Sequence, residues 1–208
     1  MPTTPQPAPP EGPYAEYDDA GTLRTQAHFQ NGLLHGPLSL YDEHGRLTLQ
    51  EHYVQGKLEG TRNLFVTGAL HTVAQYQDGL QHGPTRIHHT ANAALAATLP
   101  YHQGQLHGQA SFFDQDGNLV KTAIYHSGRL QGITTTYYPN GKPMQTETYA
   151  NDLLDGESKS YSPEGAVTKS TRYCQGKPAS SAPTPARPAA TPPPPRRLPT
   201  FTPRQPPR

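Results

Sequence analysis

The chain has 208 residues, of which 32% are hydrophobic and 8% aromatic, with one cysteine, no tryptophan and a formal net charge of +1. So few apolar side chains argue against a thick two-layer core, the lone Cys174 excludes an internal disulfide framework, and no apolar run is long enough to be read as a membrane span. The small net charge hides an asymmetry: up to Gly176 there are 11 Lys and Arg against 16 Asp and Glu, net −5, whereas from Lys177 onward one Lys and five Arg meet no acid, net +6.

Residues 1–11 are proline-rich and are expected to be disordered. They show neither the basic start nor the apolar stretch of a secretory signal, so a cytoplasmic location is expected. From Gly12 a glycine then recurs at Gly36, Gly60, Gly83, Gly108, Gly132 and Gly156, with spacings of 24, 24, 23, 25, 24 and 24. A fixed period of this length marks a repeat array, a stack in which each unit touches only its neighbours. The expected array spans residues 12–176 and holds seven units.

Two aromatic columns run through it. Tyr17, Tyr41, Phe65, Phe113, Tyr137 and Tyr161 follow the opening glycine by five residues, with His88 in their place in the fourth unit. Phe29, Tyr53, Tyr76, Tyr101, Tyr125, Tyr149 and Tyr173 stand near the end of each unit. The two columns hold 13 of the 17 Phe and Tyr residues, and aromatics in register imply stacking between copies.

Within a unit, Leu47, Leu49 and Tyr53, or Leu119, Ala123 and Tyr125, alternate with polar residues, the period of a strand. Asp116-Gly117-Asn118 and Asn140-Gly141 supply the positive φ angles of tight turns. Each unit therefore reads as one β-hairpin joined to the next by a Gly-x-Leu-x-Gly link, with the 24-residue glycine as the turn between hairpins. The fourth unit, with Ala91 to Ala97 in place of the usual turn, reads as a degenerate hairpin. The predicted fold is all-β: about seven stacked hairpins in one elongated, twisted antiparallel sheet of about fourteen strands, roughly 65 Å long. One face is expected to carry both aromatic ladders and the leucines, and the other to be polar.

Residues 177–208 form a basic, proline-rich tail with 12 prolines, expected to be disordered with polyproline II character. Pro192 to Pro195 with Arg196 and Arg197 fit a PxxPxR pattern that could dock on an aromatic groove. Pro192, Pro195, Arg196 and Arg197 are therefore the tail's candidate contacts.

Gly32-Leu33-Leu34-His35-Gly36, Gly79-Leu80-Gln81-His82-Gly83 and Gly104-Gln105-Leu106-His107-Gly108 resemble the Gly-x-x-His-Gly signature of the MORN repeat in its bacterial variant. Tyr41 to Gly45, Phe113 to Gly117 and Tyr161 to Gly165, and the endings Tyr53 to Lys57 and Tyr173 to Lys177, resemble the same pattern. The chain departs from it at His88, Pro143 and Asp152, in lacking tryptophan and in its proline-rich ends. The resemblance extends to the YwqK-family antitoxins. It implies a non-catalytic protein without cofactor that binds a protein partner, such as a cognate toxin or effector, in some members as a homodimer.

Residue chemistry is read in the same direction. His35, His82 and His107 occupy one link position, but equivalent positions in successive hairpins lie about 10 Å apart, too far for one ion whose ligands bind at about 2.0–2.3 Å. They are read as turn residues bonding local backbone, and no metal site is expected. The serines show no nucleophile elbow, and the glycines form no phosphate-binding loop. What remains is a protein-binding surface, antitoxin- or immunity-like. Its candidate contacts are Tyr53, Tyr76, His88, Tyr101, Phe112, Phe113, Tyr125, Tyr138 and Tyr149. A scaffold or adaptor using array and tail for two partners is one alternative, and peripheral membrane attachment through the basic tail another. Specific nucleic-acid recognition is not expected.

Overall fold

The computed structural model describes residues 11–179. The N-terminal residues 1–10 and the tail from residue 180, with Pro192, Pro195, Arg196 and Arg197, lie outside the described residues. Among the described residues there is no helix: a single antiparallel sheet of 20 strand segments accounts for the fold.

The seven hairpins have opening strands Gly12–Tyr17, Gly36–Tyr41, Gly60–Val66, Gly83–His88, Gly108–Phe113, Gly132–Tyr137 and Leu153–Tyr161. Their closing strands are Leu23–Gln30, Leu47–Val54, Ala69–Gln77, Leu95–His102, Leu119–His126, Pro143–Ala150 and Val167–Cys174. Each closing strand pairs with its own opening strand, and each of the first six also with the next unit's, as in Leu40↔Leu49↔Leu64. The fourth unit keeps the hairpin register from Gly83↔Tyr101 to Ile87↔Ala97, but its turn is irregular as expected: one residue longer, closed by His89 N–H to Ala94 O, with Ala93 at positive φ in place of glycine. The sheet also runs slightly past the expected boundary, because Lys177 and Pro178 pair with Cys174 and Tyr173.

Turn chemistry explains the regularity. The hairpin turn of the second unit closes with Gly45 N–H to Asp42 O at 3.0 Å and Asp42 N–H to Arg46 O at 2.9 Å, with Gly45 at φ 73°. Asp42 Oδ1 also accepts from the N–H of His44 and of Arg46, at 2.9 and 2.8 Å. Asp114 repeats this with Asp116 and Asn118. An aspartate bonding its own backbone two residues on is a turn device in its own right. The turn between units is a second type, two residues both at positive φ, as in Gln55 (50°) and Gly56 (77°), the mirror-image turn whose twist suits antiparallel strands.

The 24-residue glycine is not that turn. It opens the first strand of units one to six and lies within Leu153–Tyr161 in the seventh, with φ between 77° and 125°, two or more residues after the turn has closed. At Gly36, Gly83, Gly108, Gly132 and Gly156 it passes close to the preceding closing strand. A Cβ would lie 3.4 Å from Ile124 Cβ at Gly132, 3.4 Å from Pro100 Cγ at Gly108, and 2.9 Å from Thr148 Cβ at Gly156. Positive φ and close approach together select glycine.

Both long edges of the stack are tied from unit to unit. On the link edge the turn amides bond the previous unit's carbonyls: Gly56 to Leu34, Gly79 to Leu58, Gly104 to Gln81, Gly128 to Leu106 and Gly176 to Leu154, all at 2.8–2.9 Å. Asp152, replacing glycine in the sixth unit at φ 69°, adds a second bond: its Oδ1 accepts from Leu130 N–H at 2.8 Å. On the hairpin-turn edge side chains do the work. His89 Nε2 meets Phe113 O at 3.1 Å, Tyr138 donates its hydroxyl to Tyr161 O at 2.8 Å, and Asn140 donates its amide to Pro163 O at 3.0 Å.

The sheet has no second layer among the described residues. Its buried apolar residues are all alanines: Ala27, Ala74, Ala97, Ala110 and Ala123. No larger side chain is fully enclosed. Hydrogen-bonded ladders and cross-strand side-chain pairs, each worth about 0.2–1 kcal/mol, hold such a sheet together.

Candidate binding face

Residues directly opposite each other in antiparallel strands project from the same face, so the register sorts every side chain. One row crosses all seven units from Glu16 and Thr25 to Lys169. In units two to five it reads Leu40, Leu49, Leu64, Thr72, Ile87, Ala97 and Phe112. Beyond Phe112 it turns polar: Lys121, Thr136, Gln145, Ser160 and Lys169. The neighbouring row, one residue along each strand, faces the other way. It reads Gln26, Ser39, Gln50, Asn63, Val73, Arg86, Thr98, Ser111, Thr122, Thr135, Thr146 and Lys159, and is almost wholly polar.

Strand alternation then divides the aromatics. Tyr53 stands two and four residues beyond Glu51 and Leu49 in one strand, so its column (Tyr53, Tyr76, Tyr101, Tyr125, Tyr149) borders the apolar row. Tyr41 follows Leu40 directly and belongs to the polar face. Two contacts confirm the second placement: the hydroxyls of Tyr137 and Tyr161 meet Thr122 Oγ1 and Thr146 Oγ1, both at 3.3 Å. The expectation of two ladders on one face is thus corrected. A bulge between Leu40 and Tyr41 against Leu49 and Leu47, repeated in every unit, separates the columns.

The candidate contacts sort the same way. Tyr53, Tyr76, Tyr101, Phe112, Tyr125 and Tyr149 lie on the apolar face. His88 and Phe113 lie on the polar one, where His88 Nδ1 meets His71 O at 3.3 Å. Tyr138 sits in a turn and is engaged by Tyr161. Reading residue types along the sequence missed Leu40, Leu49, Leu64 and Ile87, which the register brings into line with Phe112. Period-two alternation carried to the strand before each bulge would have found them.

The apolar face has a polar seam. Glu51 is buried, 6% exposed. It accepts the Tyr53 hydroxyl at 2.8 Å and pairs with Arg62 at 3.0 Å. Burial, reinforced by the Glu51 carboxylate, pushes the Tyr53 phenol up to about 12. Hydrogen bonding to Tyr76 and the Glu51 charge hold Arg62 above its ordinary value. The sixth unit repeats the motif without arginine: Glu147 accepts from Tyr149 at 3.1 Å and from Gln145 at 2.8 Å, and burial with the nearby Glu147 charge raises Tyr149. Ser158, paired with Glu147, stands where the second unit's neighbour supplies Arg62.

Of the link histidines, His35 bonds backbone, but that of the next turn along the edge and not its own: its Nδ1 accepts from Gln55 N–H at 3.4 Å. Glu59 and Gln131 do the same for Asp78 and Asn151, at 2.8 and 3.2 Å.

Comparison with known proteins gives a family for two segments. The family model described as MORN repeat variant matches residues 10–31 and 130–151. These starts are 120 residues apart, five repeats of 24. The segments cover the hairpins of the first and sixth units. No curated protein matches the chain.

Proposed function

We propose that this chain, which carries the MORN repeat variant in its first and sixth units, is a non-catalytic binding module that takes a protein partner on the apolar face of its sheet. The observation that carries the reading is the row Leu40–Leu49–Leu64–Thr72–Ile87–Ala97–Phe112, apolar but for Thr72, on a sheet with no second layer among the described residues. Leu64 is 37% exposed, and a contiguous apolar strip bounded by polar residues is the usual mark of a protein interface. The tyrosines beside it are the residue type enriched at such interfaces, apolar in body with a polar tip.

The finer form of the proposal is antitoxin- or immunity-like: the face covers and neutralises a toxic partner. Co-expression with the product of a neighbouring toxic gene tests it. Protection and a co-purifying complex support this form. A complex without protection reduces the reading to a scaffold, and neither one removes it.

A further inference from the structure

The link edge carries a row of four histidines. His82, His102, His107 and His126 follow one another with ring centres 5.0, 5.9 and 4.7 Å apart. His82 and His107 hold the link position a unit apart, too far for one ion, but His102 and His126, the last residues of the fourth and fifth closing strands, fall between and beside them. His82, in the link just before the fourth unit, is thus paired with His102 at that unit's end, and His107, in the link before the fifth, with His126 at its end. The other units place at these two positions Glu11 and Gln30, His35 and Val54, Glu59 and Gln77, Gln131 and Ala150, Asp155 and Cys174.

The spacing has a chemical meaning. With a metal–nitrogen bond of about 2.1 Å and a ring centre about 1.1 Å behind the nitrogen, two imidazoles on one ion at about 90–109° have centres about 4.5–5.2 Å apart. The separations of 5.0 Å for His82–His102 and 4.7 Å for His107–His126 lie inside that range, and 5.9 Å for His102–His107 lies outside it. Elsewhere, side-chain hydrogen bonds engage the rings of His28, His35, His71, His88 and His89, whereas His102, His107 and His126 are exposed. Among the described residues no three His, Cys, Asp or Glu side chains gather as a metal cage, so an ion on either pair would have two protein ligands and its other positions open to water or to a donor from elsewhere. Imidazole suits Zn²⁺, Ni²⁺ and Cu²⁺.

We propose that the two histidine pairs are separate binding sites for divalent transition-metal ions of the Zn²⁺ and Ni²⁺ type, one at the link edge of the fourth unit and one at that of the fifth. This goes beyond the protein-binding reading and does not depend on it. The test uses the full chain without an affinity tag, titrated with Ni²⁺ and separately with Zn²⁺ by calorimetry. The expected stoichiometry is two ions per chain, falling to one in His102→Gln or His126→Gln and to none in the double variant, while His71→Gln stays at two. Paramagnetic Ni²⁺ should also broaden the imidazole NMR signals of these four rings before those of His28 or His71. Ions that survive the double substitution would place binding at other side chains. A single ion lost in His102→Gln but retained in His126→Gln would place one site across His102 and His107. Either result, or no binding at all, overturns the proposal.

Discussion

Replacing Gly156 with alanine should detach the last hairpin from an otherwise intact array. Gly156 has φ +125°, far outside the left-handed well near +57°. Even that well costs an L-residue about 1–2 kcal/mol, and glycine-only regions cost about 1–3 kcal/mol. The added Cβ would also stand 2.9 Å from Thr148 Cβ and 3.1 Å from its Cγ2, inside the optimum carbon contact of about 3.5–4.0 Å; such overpacking costs about 1–3 kcal/mol. The sum is about 2–6 kcal/mol. Gly60 is the internal control: at φ +79° and with nothing within 4 Å of its Cβ position, Gly60→Ala should cost only about 1–2 kcal/mol. Because each unit leans only on its neighbours, the Gly156 penalty should appear locally. Hydrogen exchange is the assay: in Gly156→Ala the amides of Leu153–Cys174 should lose protection while those of units two to five keep it. If the two variants cost the same, or the last hairpin stays protected, the close-approach account of the 24-residue glycine is wrong.

Arg62→Met strands the buried Glu51 carboxylate. Arg62 is itself 41% exposed in its side chain, so solvent screening trims the buried-pair penalty to about 1–2 kcal/mol, and Glu51→Leu in the same chain should recover most of it in urea unfolding. Tyr53, held neutral to about 12 where a free phenol ionises near 10, favours the folded state below pH 10 and loses that contribution as pH rises towards 12. The difference between wild type and Tyr53→Phe in an ultraviolet titration should show a late-ionising phenol. Asp114 is held below its ordinary value by Asn118, first through its side-chain amide and then through its backbone N–H, so its turn cap is intact at neutral pH and is lost as pH falls through the lowered value. Asp114→Ala should speed amide exchange across Asp114–Asn118 at pH 7 and abolish that acid dependence.

The stack of hairpins was legible because its signals are local. A glycine at fixed period, Asp-x-x-Gly and x-Gly turns, and alternation in Leu47–Tyr53 each name a backbone state without reference to the rest of the fold. What was hidden depends on register across bulges. Tyr41 and Tyr53 look alike in sequence, but the extra residue between Leu47 and Leu49 sends them to opposite faces, and the same shift lines up Leu40, Leu64 and Phe112 from separate units. The glycine itself showed its period but not its place, since a turn and the strand opening that follows it here both take positive φ. The irregular fourth and sixth units proved to be ties: His89 and Tyr138 reach the next unit's carbonyls where Asp42 and Asp114 cap their own turns. The histidine row was missed because only equivalent positions were compared, and His102 and His126 come from a different column.

Binding by face-specific variants tests the central claim most directly. Leu49→Lys with Phe112→Lys places two charges on the apolar row, and Gln26→Lys with Gln50→Lys places two on the polar row, where both glutamines are exposed. Both doubles should keep the β-sheet circular dichroism of the parent. Against a partner isolated on the full chain, the account predicts that the first double abolishes the complex and the second leaves its affinity unchanged. Loss of the complex in the second double with retention in the first would contradict it.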